Sequence, residues 1–111
     1  MNYKKIFFSF VLTALGIFIV FILWKESIPL AGILAGLAYF KHKIYPVKKE
    51  LLCFLVVGIL GSGFESLLIS NGAWKYVLPD FFNIPFWLPF LWGLIGITTI
   101  TFYEGLTEKN R

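Results

Sequence analysis

Charged residues are scarce in this chain, since only 14% of its 111 residues are Asp, Glu, Lys or Arg, whereas 59% are hydrophobic. A soluble domain has about a quarter of its residues charged, and a chain this short cannot bury so much apolar surface in one water-soluble core. The composition therefore predicts a single transmembrane helical domain, residues 1–111, with the lipid bilayer as its main partner. The length allows about four spanning helices of roughly 20 residues each.

Residue types that build catalytic or metal sites are equally scarce. The sequence contains one cysteine, Cys53, one histidine, His42, and one aspartate, Asp80. These counts exclude an intramolecular disulfide and argue against a clustered metal site or a Ser-His-Asp triad, so we expect no cofactor. The formal net charge of +4 is typical of membrane topology signals. The sequence has no basic patch with interleaved aromatic residues outside the apolar runs, so we expect no nucleic-acid partner.

Four apolar segments predict an all-α protein with four transmembrane helices. Their expected bounds are about residues 6–24, 28–45, 47–70 and 85–103. The first run lacks a small-residue cleavage site at its end, which favours an uncleaved anchor over a signal peptide. Ser27 is predicted to cap the second helix, and Asn71-Gly72 to end the third. The second span is the least certain, because Lys41 and Lys43 must snorkel for it to continue beyond residue 40.

The distribution of basic residues predicts the orientation. If the N-terminus is cytoplasmic, eight basic residues lie inside and two outside, which is a clear positive-inside bias. The inside set is Lys4, Lys5, Lys41, Lys43, Lys48, Lys49, Lys109 and Arg111, and the outside set is Lys25 and Lys75. Both termini are therefore expected in the cytoplasm, and the aromatic loop after the third helix is expected on the opposite side.

Small residues at helical spacing indicate where helices pack. Gly32 and Gly36 form a G-x-x-x-G pair in the second helix, and residues of this kind let two helices approach closely. With the short connection before it, this helix is expected to form a tight antiparallel hairpin with the first. Gly58, Gly61 and Ser62 form a second small face, which leads to Glu65 on the same side of the third helix.

Glu65 is the principal candidate for a functional site, because an ionisable residue within a membrane helix usually faces protein or water. It is interpreted either as a ligand, proton or catalytic site or as a hydrogen-bonded structural residue, with Lys75 and Asp80 as candidate partners. The aromatic residues around it form either a pocket for an apolar or isoprenoid-like ligand or, as we favour, an interfacial belt. These residues are Trp74, Tyr76, Trp87 and Trp92.

The second half of the chain carries a resemblance. The run GFESLLISNGAWKY, followed by IPFWLPFLWGLIGITTI, resembles the DUF2878 family of small bacterial integral membrane proteins of unknown function. The likeness covers about residues 57–103, and Glu65 stands where the family more often has Asp. The resemblance implies a multi-pass protein of the bacterial inner membrane and brings no known activity.

Three functional hypotheses follow. The favoured one is a non-enzymatic helical-bundle subunit or accessory protein, with a second copy or another membrane protein as its partner. The first alternative is a small proton-coupled transporter working as a dimer, although the small multidrug resistance class carries its Glu in the first helix and this chain has none there. The second alternative is a membrane enzyme acting on a lipid or isoprenoid, which would need another titratable group, such as Asp80, beside Glu65.

Overall fold

A computed structural model describes residues 1–108 and contains four helices, which confirms the all-α prediction. Helix α1 spans Tyr3–Leu23, α2 spans Ser27–Ile44, α3 spans Glu50–Ser70 and α4 spans Leu88–Thr107. Lys109 and Arg111, which were counted toward the orientation, lie outside the described residues. We call the end that carries Asn2 and the α2–α3 turn the terminal end, and the end that carries residues 71–87 the loop end.

Helix α4 ends about four residues later than predicted, and the starts of α1, α3 and α4 each differ from the predicted bounds by about three residues. Helix α3 begins at Glu50 because Lys49 adopts a left-handed conformation (φ 56°), while the Val47 N–H donates to the Glu50 carboxylate at 3.3 Å. Before α4, a turn closes where the Leu88 N–H donates to the Pro85 carbonyl at 3.1 Å. Pro89 then lies in the first turn of α4, where its missing N–H costs little.

The predicted end of α3 at Asn71-Gly72 is confirmed. Asn71 is the C-cap residue, and Gly72 takes a positive φ of 88° that suits glycine. The Gly72 N–H donates to the Ile69 carbonyl at 2.9 Å, and the Ala73 N–H donates to the Leu68 carbonyl at 3.1 Å. These bonds satisfy carbonyls at the end of the helix and turn the chain into the loop of residues 71–87.

Helix α4 is the centre of the bundle, because it packs against each of the other three helices. Its contact with α3 depends on glycines on both sides. A Cβ at Gly58 would lie 2.6 Å from the Pro89 carbonyl oxygen, and one at Gly93 would lie 2.8 Å from the Phe54 carbonyl oxygen. The backbones of α3 and α4 therefore approach too closely for any side chain at these positions, as is common between membrane helices.

The α1–α4 contact brings both described ends of the chain to the terminal end. A Cβ at Gly16 would lie 2.9 Å from Cδ2 of Leu94, so a larger residue there would require the Leu94 side chain to shift. Nearby, the Thr13 hydroxyl donates to the Thr98 hydroxyl at 2.8 Å. The Asn2 N–H donates to the Gly105 carbonyl at 2.7 Å, so the start of α1 lies beside the last turn of α4.

The G-x-x-x-G pair of Gly32 and Gly36, predicted to permit close helix contact, meets no other helix within residues 1–108. A Cβ at either position would meet no atom within 4 Å. The buried side of α2 is formed instead by larger residues such as Leu30 and Leu34, which are fully buried. The two glycines lie on another side of the helix, so they form no contact with another helix within residues 1–108.

Apolar side chains cover much of the outer surface of the bundle. Phe10 on α1, Ile28 on α2 and Leu51 on α3 are each at least 70% exposed, although all are large and hydrophobic. Helices α1 and α3 are long and apolar enough to cross a membrane. An exposed apolar surface of this extent is unusual for a soluble monomer.

Candidate functional site

The Glu65 carboxylate accepts two hydrogen bonds from aromatic side chains. The Tyr76 hydroxyl donates to Oε1 and the Trp92 Nε1–H donates to Oε2, each at 2.5 Å. Glu65 is half-buried on α3, Trp92 belongs to α4, and Tyr76 comes from the loop. We call these three residues the loop-end site. Each carboxylate oxygen thus has a donor from a different part of the fold, and the carboxylate joins the loop to both helices.

The local sequence explains how the Trp92 donor reaches Glu65. Gly61 lies one turn before Glu65 on the same face of α3, and a Cβ at Gly61 would collide with Cγ, Cδ2 and Cε3 of the Trp92 indole. Because glycine leaves that space open, the indole approaches α3 closely and its N–H reaches the carboxylate. The small face predicted before Glu65 therefore positions the indole of α4.

Two further contacts hold the loop over the site. Asp80 Oδ2 accepts from the Ser27 hydroxyl at 2.5 Å and from the Phe86 N–H at 2.7 Å, and these bonds lower the pKa of Asp80. The Ser66 hydroxyl donates to the Phe82 carbonyl at 2.7 Å. The prediction that Ser27 caps α2 is wrong, because Glu26 is the N-cap residue and the Ser27 hydroxyl bonds to the loop instead.

A cavity of about 220 Å³ adjoins the loop-end site. It is lined by Glu65, Tyr76, Trp87, Leu88, Leu91, Trp92 and Ile95, so four of the predicted site residues lie together. Burial raises the pKa of Tyr76, and its hydrogen bond to Glu65 raises it further. The phenol therefore remains protonated at neutral pH and serves as a donor.

The other predicted site residues lie outside this cavity. Trp74 is 41% exposed, and Ser62 is buried with a hydroxyl that has no hydrogen-bond partner among residues 1–108. Lys75 forms no ion pair with Glu65 in the described part of the chain. Asp80 bonds to Ser27 and Phe86 and does not line the cavity. Asp80 therefore does not supply a second titratable group beside Glu65, and the Tyr76 phenol is the titratable group that contacts Glu65.

A second polar cluster, at the terminal end, is one that sequence reasoning missed. The Lys41 ammonium forms an ion pair with the Glu50 carboxylate and donates to the Tyr45 carbonyl at 2.8 Å. His42 Nδ1 lies 2.6 Å from the other Glu50 oxygen. The side chains of Lys41 and Glu50 are only 0% and 5% exposed. The expectation that Lys41 snorkels to the surface is therefore wrong.

The sequence does contain a signal for this cluster. Lys41 lies in the last turn of α2 and Glu50 opens α3, with Pro46 in the short turn between them. A turn of this length places the end of one helix beside the start of the next. A lysine and a glutamate on its two sides are then close enough to form an ion pair.

Comparisons with known proteins identify no relative of this chain. No family model, curated protein or solved structure matches this chain. The resemblance to the DUF2878 family gains no support from these comparisons.

Proposed function

We propose that the chain is a multi-pass protein of the bacterial inner membrane that acts as a non-enzymatic helical-bundle subunit or accessory protein. In this proposal all four helices span the bilayer and the terminal end faces the cytoplasm. Helices α2 and α4 have 18 and 20 residues, so at 1.5 Å per residue they are about 27–30 Å long, close to the hydrocarbon thickness. The exposed apolar side chains and the positive-inside bias support this placement.

The observation that carries the non-enzymatic proposal is that both Glu65 carboxylate oxygens already accept hydrogen bonds within the fold. Both oxygens accept short hydrogen bonds from Tyr76 and Trp92, so the carboxylate is satisfied by the fold itself. A proton carrier or general acid must exchange its proton with a substrate or water. A carboxylate that joins two helices and a loop is better suited to fixing the loop end of the bundle.

Replacing Glu65 by glutamine tests this structural role. The amide can accept only one of the two donors, so we expect the free energy of unfolding in detergent to fall by about 1–2 kcal/mol. Tyr76→Phe, combined with Glu65→Gln, completes a double-mutant cycle that should show coupling between the two residues. Ser70→Ala is a matched control at the end of α3, because among residues 1–108 the Ser70 hydroxyl bonds only to the Leu67 carbonyl of its own helix.

A transport assay separates this proposal from the proton-coupled alternative. Wild-type protein in pyranine-loaded vesicles is exposed to a tetraphenylphosphonium gradient, and proton movement is followed by fluorescence. We expect no protein-dependent signal. A signal that is lost in Glu65→Gln, while the unfolding free energy is unchanged, would contradict the structural role and favour the transporter.

Assembly through α2 is a second prediction of the proposed function, with another copy of this chain as the partner. Gly32 faces open space in the single chain, and in lipid such a residue permits close helix contact. We expect Gly32→Leu to convert dimers to monomers in crosslinking and light-scattering measurements. Gly63→Leu is the matched control on α3, where a Cβ also meets nothing within 4 Å. Equal effects of both changes, or no effect of either, would contradict assembly through α2.

A further inference from the structure

A groove of about 360 Å³ lies between α2 and α3, above the Ile97 side chain of α4. It is lined by Ala35, Ala38, Tyr39, His42, Glu50, Leu51, Phe54 and Ile97. Small residues on α2 and large apolar residues on α3 form most of its surface, and its volume lies in the range of small-molecule sites. The two polar lining residues, His42 and Glu50, lie where the groove approaches the terminal end of the bundle. The groove is therefore apolar along most of its length and polar where it approaches the terminal end.

The polar end of the groove has a net positive surface. Residues 41–50 contain four lysines and one glutamate, a formal charge of +3 with His42 neutral. Glu50 is neutralised by the buried Lys41, which leaves three exposed lysines, Lys43, Lys48 and Lys49. None of these three forms an ion pair within residues 1–108.

One of these lysines lies directly at the groove. The Lys43 ammonium lies over the Tyr39 ring, 5.2 Å from its centroid, and Tyr39 lines the groove. His42 also lines it, and half of the His42 side chain is exposed. The Lys43 ammonium is therefore placed where a ligand that enters the groove with its apolar part would leave its polar part.

We propose that this groove is a binding site for an anionic phospholipid, with one acyl chain between α2 and α3 and the phosphate beside Lys43, Lys48 and Lys49. Basic pockets between membrane helices on the cytoplasmic side are suited to anionic headgroups. The buried Lys41–Glu50 pair closes the polar end of the groove without adding net charge, so Glu50 does not repel the phosphate. The inference rests on the proposed membrane insertion of the four helices.

Lipid retention measured by native mass spectrometry tests this site. Wild-type protein is released from nanodiscs that contain equal amounts of phosphatidylglycerol and phosphatidylcholine, and we expect retained phosphatidylglycerol in clear excess. One lysine near an anionic lipid surface contributes a factor of about five in affinity. Lys43→Gln/Lys48→Gln/Lys49→Gln should therefore lower phosphatidylglycerol retention by at least about tenfold. Lys25→Gln/Lys75→Gln, which removes cations at the loop end, should leave it unchanged.

A groove-filling variant separates the groove from the basic surface. Ala35→Phe places a ring in the channel and should abolish the preference without changing charge. Ala14→Phe, at an exposed position of α1, is its matched control and should retain the preference. Unchanged retention in Ala35→Phe would overturn the groove as the site. Lipid-free dimers that dissociate in Ala35→Phe but persist in Gly32→Leu would overturn it in favour of a second copy in the groove.

Flotation with vesicles separates failure of the lipid site from failure of the proposed function. Protein that floats with vesicles of either lipid but retains both lipids equally would overturn the lipid site alone. Protein that does not float with either vesicle would overturn membrane insertion, on which the inference rests.

Discussion

Replacing Lys41 by methionine is expected to lower the free energy of unfolding by about 3–5 kcal/mol, because it leaves the buried Glu50 carboxylate without its cation. The Lys41 side chain is fully buried, and its ammonium also donates to the Tyr45 carbonyl. His42 and the Val47 N–H remain as partners of Glu50, but neither replaces the fixed positive charge of the lysine. Denaturant titration in a mild detergent measures the loss.

The double variant Lys41→Met/Glu50→Met separates the cost of an orphaned charge from the value of the pair. Removing both charges from a buried pair is often neutral or stabilising, so we expect the double variant to recover most of the stability that Lys41→Met loses. Lys43→Met, two residues away and exposed, should stay within about 0.5 kcal/mol of wild type. A loss below about 1 kcal/mol in Lys41→Met would contradict burial of the pair.

Replacing Gly58 by leucine is expected to cost about 3 kcal/mol, at the upper end of the range for overpacked sites. A Cβ at this position would lie 2.6 Å from the Pro89 carbonyl oxygen. Because the obstacle is backbone, α3 and α4 must move apart, which disturbs the Gly61–Trp92 contact and so the bond from Trp92 to Glu65. A drop in thermal stability, together with a change in tryptophan fluorescence, would report both effects.

Gly63→Leu is the control that shows whether the loss in Gly58→Leu comes from the close approach of α4 or from leucine on α3 in general. Gly63 lies five residues further along α3, and a Cβ there meets nothing within 4 Å. Since leucine is the better helix former by somewhat less than 1 kcal/mol, we expect this variant to be unchanged or slightly more stable. Equal losses in both variants would show that α3 tolerates no leucine in general and would contradict the close approach at Gly58.

The helices could be predicted from the sequence because each depends on a long apolar run and on local stop signals such as Asn71-Gly72. The starts of α3 and α4 were less accurate, since Lys49 takes a left-handed conformation and Pro85 belongs to a turn. Both depend on bonds with neighbouring residues, as when the Val47 N–H donates to Glu50. An apolar run indicates that a helix exists more reliably than it indicates where the helix begins.

Side-chain partners were harder to predict, because they depend on how the helices are placed against one another. The spacing of Gly58, Gly61 and Glu65 indicated a common face, but the identity of the facing residue, Trp92, required the tertiary fold. Gly32 and Gly36 have an equally regular spacing, and yet a Cβ at either position would meet no atom within 4 Å in the described part of the chain. Lys41 at a helix end has the sequence pattern of a snorkelling lysine, but in the fold it is buried against Glu50.

The central position of α4 has a consequence for biosynthesis. During translation α1, α2 and α3 leave the ribosome before the helix that contacts all three of them. Gly16 of α1, the glycine face of α3 and the Glu65 oxygen that accepts from Trp92 then have no partner until α4 has been made. In contrast, the Lys41–Glu50 pair spans only nine residues and can form as soon as the α2–α3 turn exists. Final packing of the bundle therefore requires α4, whereas the buried ion pair can form earlier and fix α2 against α3.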